Sequence, residues 1–569
     1  MVQEQWMLHT KKADFQELGK VHSINPVTAR IIRNRDICGD DAVEKYLRGT
    51  INDMYSPHLL KDMDKTIEIL KQKISEGKRV RIVGDYDIDG VCSTYILYKA
   101  LKRVGAEVDY EIPDRIKDGY GINESIIQAA ADQGIDTILT CDNGIAAVDQ
   151  IALAKELGLT VLITDHHDIM KEDGKEILPP ADAVVNPKQE ECNYPYPEIC
   201  GGMVAYKLAG ALYEAYGIPE EEWLGMLEFA AIATVGDVMK LQDENRIIVK
   251  EGLKRIGKSQ SKGLLKLIEK NDLDKDCITG YQIGFVIGPC LNAGGRLLTA
   301  KLALSLLLCE DDEEADRMAL ELKELNDQRK DMTKQGTDEA VELVNEYYLN
   351  DSVLVVYLPE CHESLAGIIA GRLREQFQKP AFVLTDGEEG VKGSGRSIDQ
   401  YHMFEALVSV KDLLLKFGGH PMAAGLSLKK ENVDELRRRL NEESHLTEDD
   451  FIKRVWIDVP MPLEYISEPL IQELEVLEPF GQGNEKPLFA QKNLHIRSAR
   501  VFGKNRNVVR LSLATEQGTP MDGMIFGDGD GFMEELGNKR RIDVIYYPNI
   551  NEYNGNRSLQ IVIRNYKLP

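Results

Sequence analysis

At 569 residues the chain is too long for one hydrophobic core, so about two to four domains are expected, and 43% hydrophobic with 29% charged residues excludes a disordered polymer. No apolar run approaches bilayer-spanning length, the opening MVQEQWMLHTKKADF lacks the apolar core of a signal peptide, and nine scattered cysteines without a CxxC pair exclude a disulfide framework or zinc ribbon; a cytoplasmic protein is expected. The net charge of −26 speaks against a uniformly basic nucleic-acid binder, but it describes only the long-range field, and residues 491–569 carry 12 Lys and Arg against 8 Asp and Glu.

In chain order, residues 1–75 read as a helical lead-in ending in the amphipathic DKTIEILKQKISEG. Residues 76–310 alternate short β-branched runs (RVRIVG at 79–84, DTILT at 136–140, TVLIT at 160–164, AVV at 183–185) with helical patterns, which predicts an α/β domain with a doubly wound parallel sheet. Residues 311–349 read as a long connector helix with a narrow apolar seam at Met318, Leu322, Leu325 and Met332. A second, smaller α/β domain is expected over 350–445, from DSVLVVYL through HESLAGIIAGRLREQF to PAFVLT. Residues 450–569 end in five or so strands separated by Gly and Asn turns, the pattern of a small OB-like β-barrel.

The chemistry-bearing residues sit at strand ends. VGDYDIDG puts Asp85, Asp87 and Asp89 after the first strand, TCDNG puts Asp142 after the second, and TDHHD puts Asp165, His166 and His167 after the third. Ligands of an open α/β sheet bind outside the carboxyl ends of its strands, so these acids and imidazoles share one crevice. A single Asp there is ordinarily a turn former or helix cap. Three successive strand ends with ligand-type residues indicate a site for Mn²⁺, Mg²⁺ or a similar ion, since converging carboxylates repel unless cations neutralise them. Two ions suit in-line hydrolysis of a phosphodiester. Asp165 either orients an imidazole or caps the next helix.

Together GDYDIDG, CDNG, TDHH and TVGD resemble the four motifs of the DHH phosphoesterase superfamily. The stretch YSPHLLKDMDKTIEILKQKISEGKRVRIVGDYDIDG, with PDRIKDGYG, AVVNPK and ENR, resembles the RecJ-type single-strand-specific exonucleases, and the likeness spans nearly the whole chain. It implies a DHH catalytic domain, a DHHA1 substrate domain at 350–445 and two divalent cations, Mn²⁺ or Mg²⁺. By that resemblance Asp87 and Asp89 each bind one metal with Asp85 assisting, Asp142 bridges, His166 binds one ion, Asp237 completes the other, and His167 faces the scissile phosphate. Residues alone mark Asp237 only as a helix cap.

Two glycine-rich segments, VKGSGRS (391–397) and FGGHPMAAG (417–425), read as loops whose backbone can approach a phosphate. They match the DHHA1 type and bring Ser394, Arg396 and His420 as substrate contacts. LNAGGR adds Asn292 and Arg296; Cys290 stands where the family often has arginine, and Arg115 is a further phosphate candidate. On the barrel, Arg497, Arg500, Lys504, Arg506 and Arg510 interleave with Phe502, a composition suited to tracking and stacking on a single strand.

The resemblance thus implies a 5′-to-3′ exonuclease that degrades single-stranded DNA to mononucleotides in DNA repair and recombination. A helicase or single-strand-binding protein is the kind of partner it implies. Two alternatives stay open: a DHH phosphodiesterase of short oligonucleotides or cyclic dinucleotides, and a non-catalytic single-strand-binding scaffold.

Overall fold

Five parallel strands form the first sheet of the computed structural model, which describes residues 4–115, 119, 121–387, 390–553 and 555–569. Their spatial order is Glu107–Glu111, Arg79–Val83, Thr137–Cys141, Thr160–Thr164, Ala183–Val185, or 2-1-3-4-5 in chain order. The topological switch of this doubly wound sheet lies between Arg79–Val83 and Thr137–Cys141, where a ligand crevice opens at the strands' carboxyl ends. Four of the strands are the β-branched runs of the sequence, buried on both faces. The fifth, Glu107–Glu111, is an edge strand whose alternating acids hide it from a hydrophobicity pattern. Its Asp109 takes a two-pronged ion pair at 2.8 Å from Arg81 of the neighbouring strand.

The connector is a helix over Asp312–Leu343. Met318 and Leu322 are buried as the seam requires, but Leu325 and Met332 are only half-buried, and polar Asn326 and Thr333 take the fully buried positions further along. Beyond it lies a five-stranded sheet in the order Leu414–His420, Ala423–Leu428, Gly390–Arg396, Ala381–Gly387, Leu354–Tyr357, with only the last pair parallel. The two glycine-rich segments expected as loops are therefore strands. Their glycines make room: a Cβ on Gly395 would stand 2.5 Å from the Met403 sulfur and 2.6 Å from the Phe382 ring.

Contacts divide the described chain into two units, one of Glu4, Tyr55–Met239 and Glu251–Lys453, the other of Gln5–Met54, Lys240–Lys250 and Arg454–Pro569. The lead-in is split between them, and it is not wholly helical, because Glu4–Leu8 is a strand paired with Lys453–Ile457. Helix Met63–Ser75 stays with the parallel sheet, where Asp62 accepts the Val184 amide at 3.0 Å. In the second unit, Ile31, Ile32 and Leu47 share a core with barrel residues Phe489, Leu494 and Val509. The barrel closes by pairing its long first strand, Phe489–Phe502, with both Val508–Ala514 and Arg541–Tyr553. Among the described residues no helix is long and apolar enough to cross a membrane.

Arg246, 2% exposed, ties this second unit together. It donates to the carbonyls of Tyr46, Leu477 and Val476 at 2.9, 2.9 and 2.7 Å, with its guanidinium 4.0 Å from the Tyr46 ring centre. Arg246→Ala removes three charge-assisted hydrogen bonds to backbone carbonyls, of which Leu477 O keeps a donor in Asn484, and is expected to destabilise this unit by about 3 kcal/mol. The urea midpoint followed by fluorescence of Trp6 and Trp456, both in this unit, checks it; an unchanged midpoint contradicts the strut.

Candidate metal centre

The loop after Val83 is shaped by its own acids. Asp87 caps helix Ile88–Arg103, accepting the amides of Asp89 (2.9 Å) and Gly90 (3.1 Å). Asp89, in the first turn, turns its carboxylate to the start of helix Gly201–Tyr216 and accepts the amides of Gly201 (2.7 Å) and Gly202 (2.6 Å). Backbone donors and helix dipole thus hold an anion in a buried place. The glycines are required by space: a Cβ on Gly201 would fall 2.7 Å from Asp142, and one on Gly202 3.0 Å from the Asp89 carboxylate. Sequence reasoning missed this pair. Its signal was GG following Cys200 at the start of an apolar helical run.

Asp142 ends its strand at φ +62°, a left-handed conformation that Asp tolerates better than most residues. Its neighbour Asn143 donates to Val83 O (3.0 Å) and Cys141 O (2.9 Å), fastening two adjacent strand ends together. Asp165, fully buried, accepts the amides of His166 (2.7 Å), His167 (3.1 Å) and Ile145 (2.9 Å), and a 2.8 Å bond from His167 Nδ1. Of the two roles open to Asp165, the geometry selects orienting an imidazole. Asp237 ends helix Leu227–Gly236 and enters the same crevice. His166 Nε2 stands at the centre, 3.2 Å from Asp142, 3.6 Å from Asp89 and 3.7 Å from Asp237.

Three sets of ligand atoms each lie within 4.8 Å of one another: Asp85, Asp87 and Asp142; Asp89, His166 and Asp237; Asp142, His166 and His167. Asp85 Oδ1 and both ring nitrogens of His166 are buried without a hydrogen bond. Burial and then the charge of Asp87 push the Asp85 carboxyl well up, and burial with Asp89 and Asp87 does the same to Asp142. Asp237 is pushed up to about 8 by burial, Asp89 and Asp87. Burial lowers His166, keeping the imidazole neutral and able to ligate. Burial alone would raise Asp165, but the hydrogen bond and charge of His167 outweigh it and hold that carboxyl low. His167 in turn, despite burial, is pushed up to about 9 by Asp165. Burial and Asp89 keep the nearby Cys92 and Cys200 thiols protonated, so sulfur does not compete as a ligand. Carboxylate oxygens and neutral imidazole with unfilled lone pairs fit a hard divalent cation.

Around this cluster the same unit gathers guanidinium groups. Arg115 lies over the Tyr86 ring at 4.8 Å, and Arg296 donates to Ser364 O at 2.8 Å. Burial and the charges of Arg115 and Arg329 lower Arg296 to about 10. Arg396 bonds Ser394 Oγ (3.2 Å) and Gly395 O (2.7 Å), and burial with Arg374 and Arg115 lowers it. A pocket of ≈ 620 Å³ is lined by Arg115, Ser364, Lys392, Ser394 and Lys416. Asn292 keeps a buried Oδ1 without a partner. Cys290 is buried against Asn326, whose amide donates to its sulfur at 3.3 Å. His420 ends its strand exposed. On the barrel, Arg497, Arg500 and Phe502 are exposed along one long strand and Lys504 follows it, but Arg506 is paired with Asp530 and Arg510 with Asp522. Those last two charges are neutralised locally, which weakens them as strand contacts.

Three stretches match known families: the DHH family N-terminal domain at 79–234, the DHHA1 domain at 350–445 and the RecJ OB domain at 457–565. The chain is similar to a single-stranded-DNA-specific exonuclease RecJ of Bacillus subtilis, 39% identical over 545 residues, covering 95% of this chain and 68% of that protein. The Escherichia coli protein of that name is 32% identical, covering 95% of each chain. Among solved structures, RecJ of Thermus thermophilus in complex with Mn²⁺ matches at a TM-score of 0.84 and 27% identity, covering all of this chain and 80% of that one. An exonuclease RecJ bound to manganese matches at 0.60 and 32% identity, covering 69% and 98%.

The raised carboxyls give a pH signature. Asp237 moves from 3.8 to about 8 on folding, so without cations its burial costs stability increasingly as pH rises between those values. A cation relieves that cost only when the carboxylate is ionised. The rise in Tm on adding Mn²⁺ is therefore expected to be larger at pH 8.5 than at pH 6; an equal or smaller rise contradicts a proton-competed site.

Proposed function

We propose, from the premise that the chain belongs to the RecJ family of single-stranded-DNA-specific exonucleases, that it is a metal-dependent 5′-to-3′ exonuclease releasing 5′-mononucleotides from single-stranded DNA. The observation that carries this reading is the convergence of Asp85, Asp87, Asp89, Asp142, His166 and Asp237 at the switch point of the parallel sheet. The atom sets support two cation positions, one held by Asp85, Asp87 and Asp142, the other by Asp89, His166 and Asp237, with Asp142 close enough to His166 to serve both. Divalent cations, Mn²⁺ or Mg²⁺, supply Lewis-acid activation of the attacking water and neutralise charge on the phosphate.

The chain's own groups do the rest. His167, held by Asp165 and carrying a proton to about pH 9, directs a charged N–H donor at a phosphate oxygen. Arg115, Arg296 and Arg396, with Ser394, Asn292 and His420, grip neighbouring phosphates and fix the strand for in-line attack. Water attacks phosphorus, the P–O3′ bond breaks, the 3′ oxygen takes a proton, and the phosphate stays on the shortened strand as its new 5′ end. Barrel residues Arg497, Arg500, Phe502 and Lys504 offer exposed cations and a ring for the backbone and bases of a single strand. The proposed division is a lead-in (1–75), catalytic domain (76–310), connector (311–349), substrate domain (350–445) and strand-binding barrel (450–569), with Gln5–Met54 and Lys240–Lys250 grouped with the barrel.

An enzyme that acts only on single strands needs them supplied, which makes a helicase and a single-strand-binding protein its natural partners, in the cytoplasm, during repair and recombination. Digestion of 5′- and 3′-labelled single-stranded DNA with Mn²⁺ tests the reading. Labelled mononucleotide from the 5′ end is expected first, and Asp142→Ala is expected to lose at least about 10³-fold in kcat. Release from the 3′ end, strong preference for dinucleotides, or an equally inactive parent would contradict it.

A further inference from the structure

Two of the most exposed aromatic rings on the catalytic unit are not used above. Tyr281 is 66% exposed and Phe285 67% exposed, and their rings are stacked, centroids 4.7 Å apart and 26° from parallel. Large apolar rings left in water normally find a partner. These two pack on each other and stay two-thirds exposed as a pair.

Their position ties them to the metal centre. One helical segment runs from Gly280 to Leu297, with a widened turn at Ile283–Ile287. Widened turns of this kind occur chiefly at functional sites. Tyr281 and Phe285, four residues apart, share one face of this segment, and Arg296 near its far end carries a guanidinium that reaches the second α/β domain at Ser364. The widened turn packs on the helix that ends in Asp237: a Cβ at Gly284 would lie 3.7 Å from Val235. A Cβ at Gly288 would lie 3.1 Å from Ile88, the residue between Asp87 and Asp89. At 1.5 Å per residue, Phe285 lies about 16 Å along the helix from Arg296. That distance corresponds to fewer than about five nucleotides, even at the duplex rise of 3.4 Å.

We propose that Tyr281 and Phe285 form a base-stacking platform that receives unpaired bases of the strand and positions it a few nucleotides from the scissile phosphate. The proposal rests on the single-strand exonuclease reading and deepens it. The phosphate grip at Arg296 and the platform belong to one rigid helix, so a strand held by its backbone at one end presents bases to the rings at the other. A ring face accepts any base, giving affinity without sequence preference, and duplexed bases, already stacked and paired, offer it nothing.

The test compares a long oligothymidylate with the dinucleotide in Mn²⁺, using the Tyr281→Ala/Phe285→Ala and Tyr281→Leu/Phe285→Leu double variants. Both are expected to lower the ratio of kcat/KM on the long strand to that on the dinucleotide by about 10-fold, mainly through KM, as loss of base–aromatic stacking does. The Tyr281→Trp variant without added cation is expected to lose fluorescence, relative to the parent, on titration with oligothymidylate. An unchanged ratio, full recovery with leucine, or an unquenched Trp variant would overturn the platform. A parent inactive on both substrates would overturn the single-strand reading and the platform with it, whereas an active parent matched by its variants overturns the platform alone.

Discussion

Everything in the catalytic unit answers to one electrostatic problem: several carboxylates are buried within a few ångströms of each other at the switch point of a parallel sheet. In water such a cluster would disperse; inside the protein desolvation and mutual repulsion both favour neutral acids, as the raised Asp85, Asp142 and Asp237 show. A divalent cation bound among these acids would reverse the sign of that cost.

The surroundings are built to keep the acids in place while they repel. Asp89 is held by two glycine amides at a helix start, Asp87 by the first amides of its own helix, and Asp142 by a left-handed backbone turn that Asn143 secures. Asp165 differs from the other acids. Four donors satisfy it, so it stays ionised without a cation and fixes His167 in orientation and charge. Adjacent residues of TDHH thereby take opposite tasks. His166 is neutral and central among the carboxylates, and His167 is charged and turned by its neighbour.

Much of this was legible in the sequence because parallel strands advertise themselves as short β-branched runs, and their carboxyl ends can be read directly for acids and imidazoles. The failures have physical causes. Glu107–Glu111 is an edge strand whose charges pair across the sheet, so it carries no apolar signature. Glycine signals a turn, yet in Gly390–Arg396 and Leu414–His420 it serves to clear space within a sheet. The split of the lead-in depends on contacts spanning the chain, such as the bond of Asn34 to Asp458, 424 residues away, which no local pattern records. Asp237 could be recognised only through family resemblance, since a helix-ending acid is ordinary until the fold brings it beside His166. Gly201 and Gly202 left only a faint trace, because backbone amides have no letter in a sequence.

The central claim is that this acid cluster is a two-cation centre, and anomalous scattering from crystals soaked in Mn²⁺ tests it most directly. Two peaks about 3.5–4 Å apart are expected. One should lie against Asp85, Asp87 and Asp142, and the other against Asp89, His166 and Asp237. Manganese bound elsewhere, with none at these residues, would contradict it.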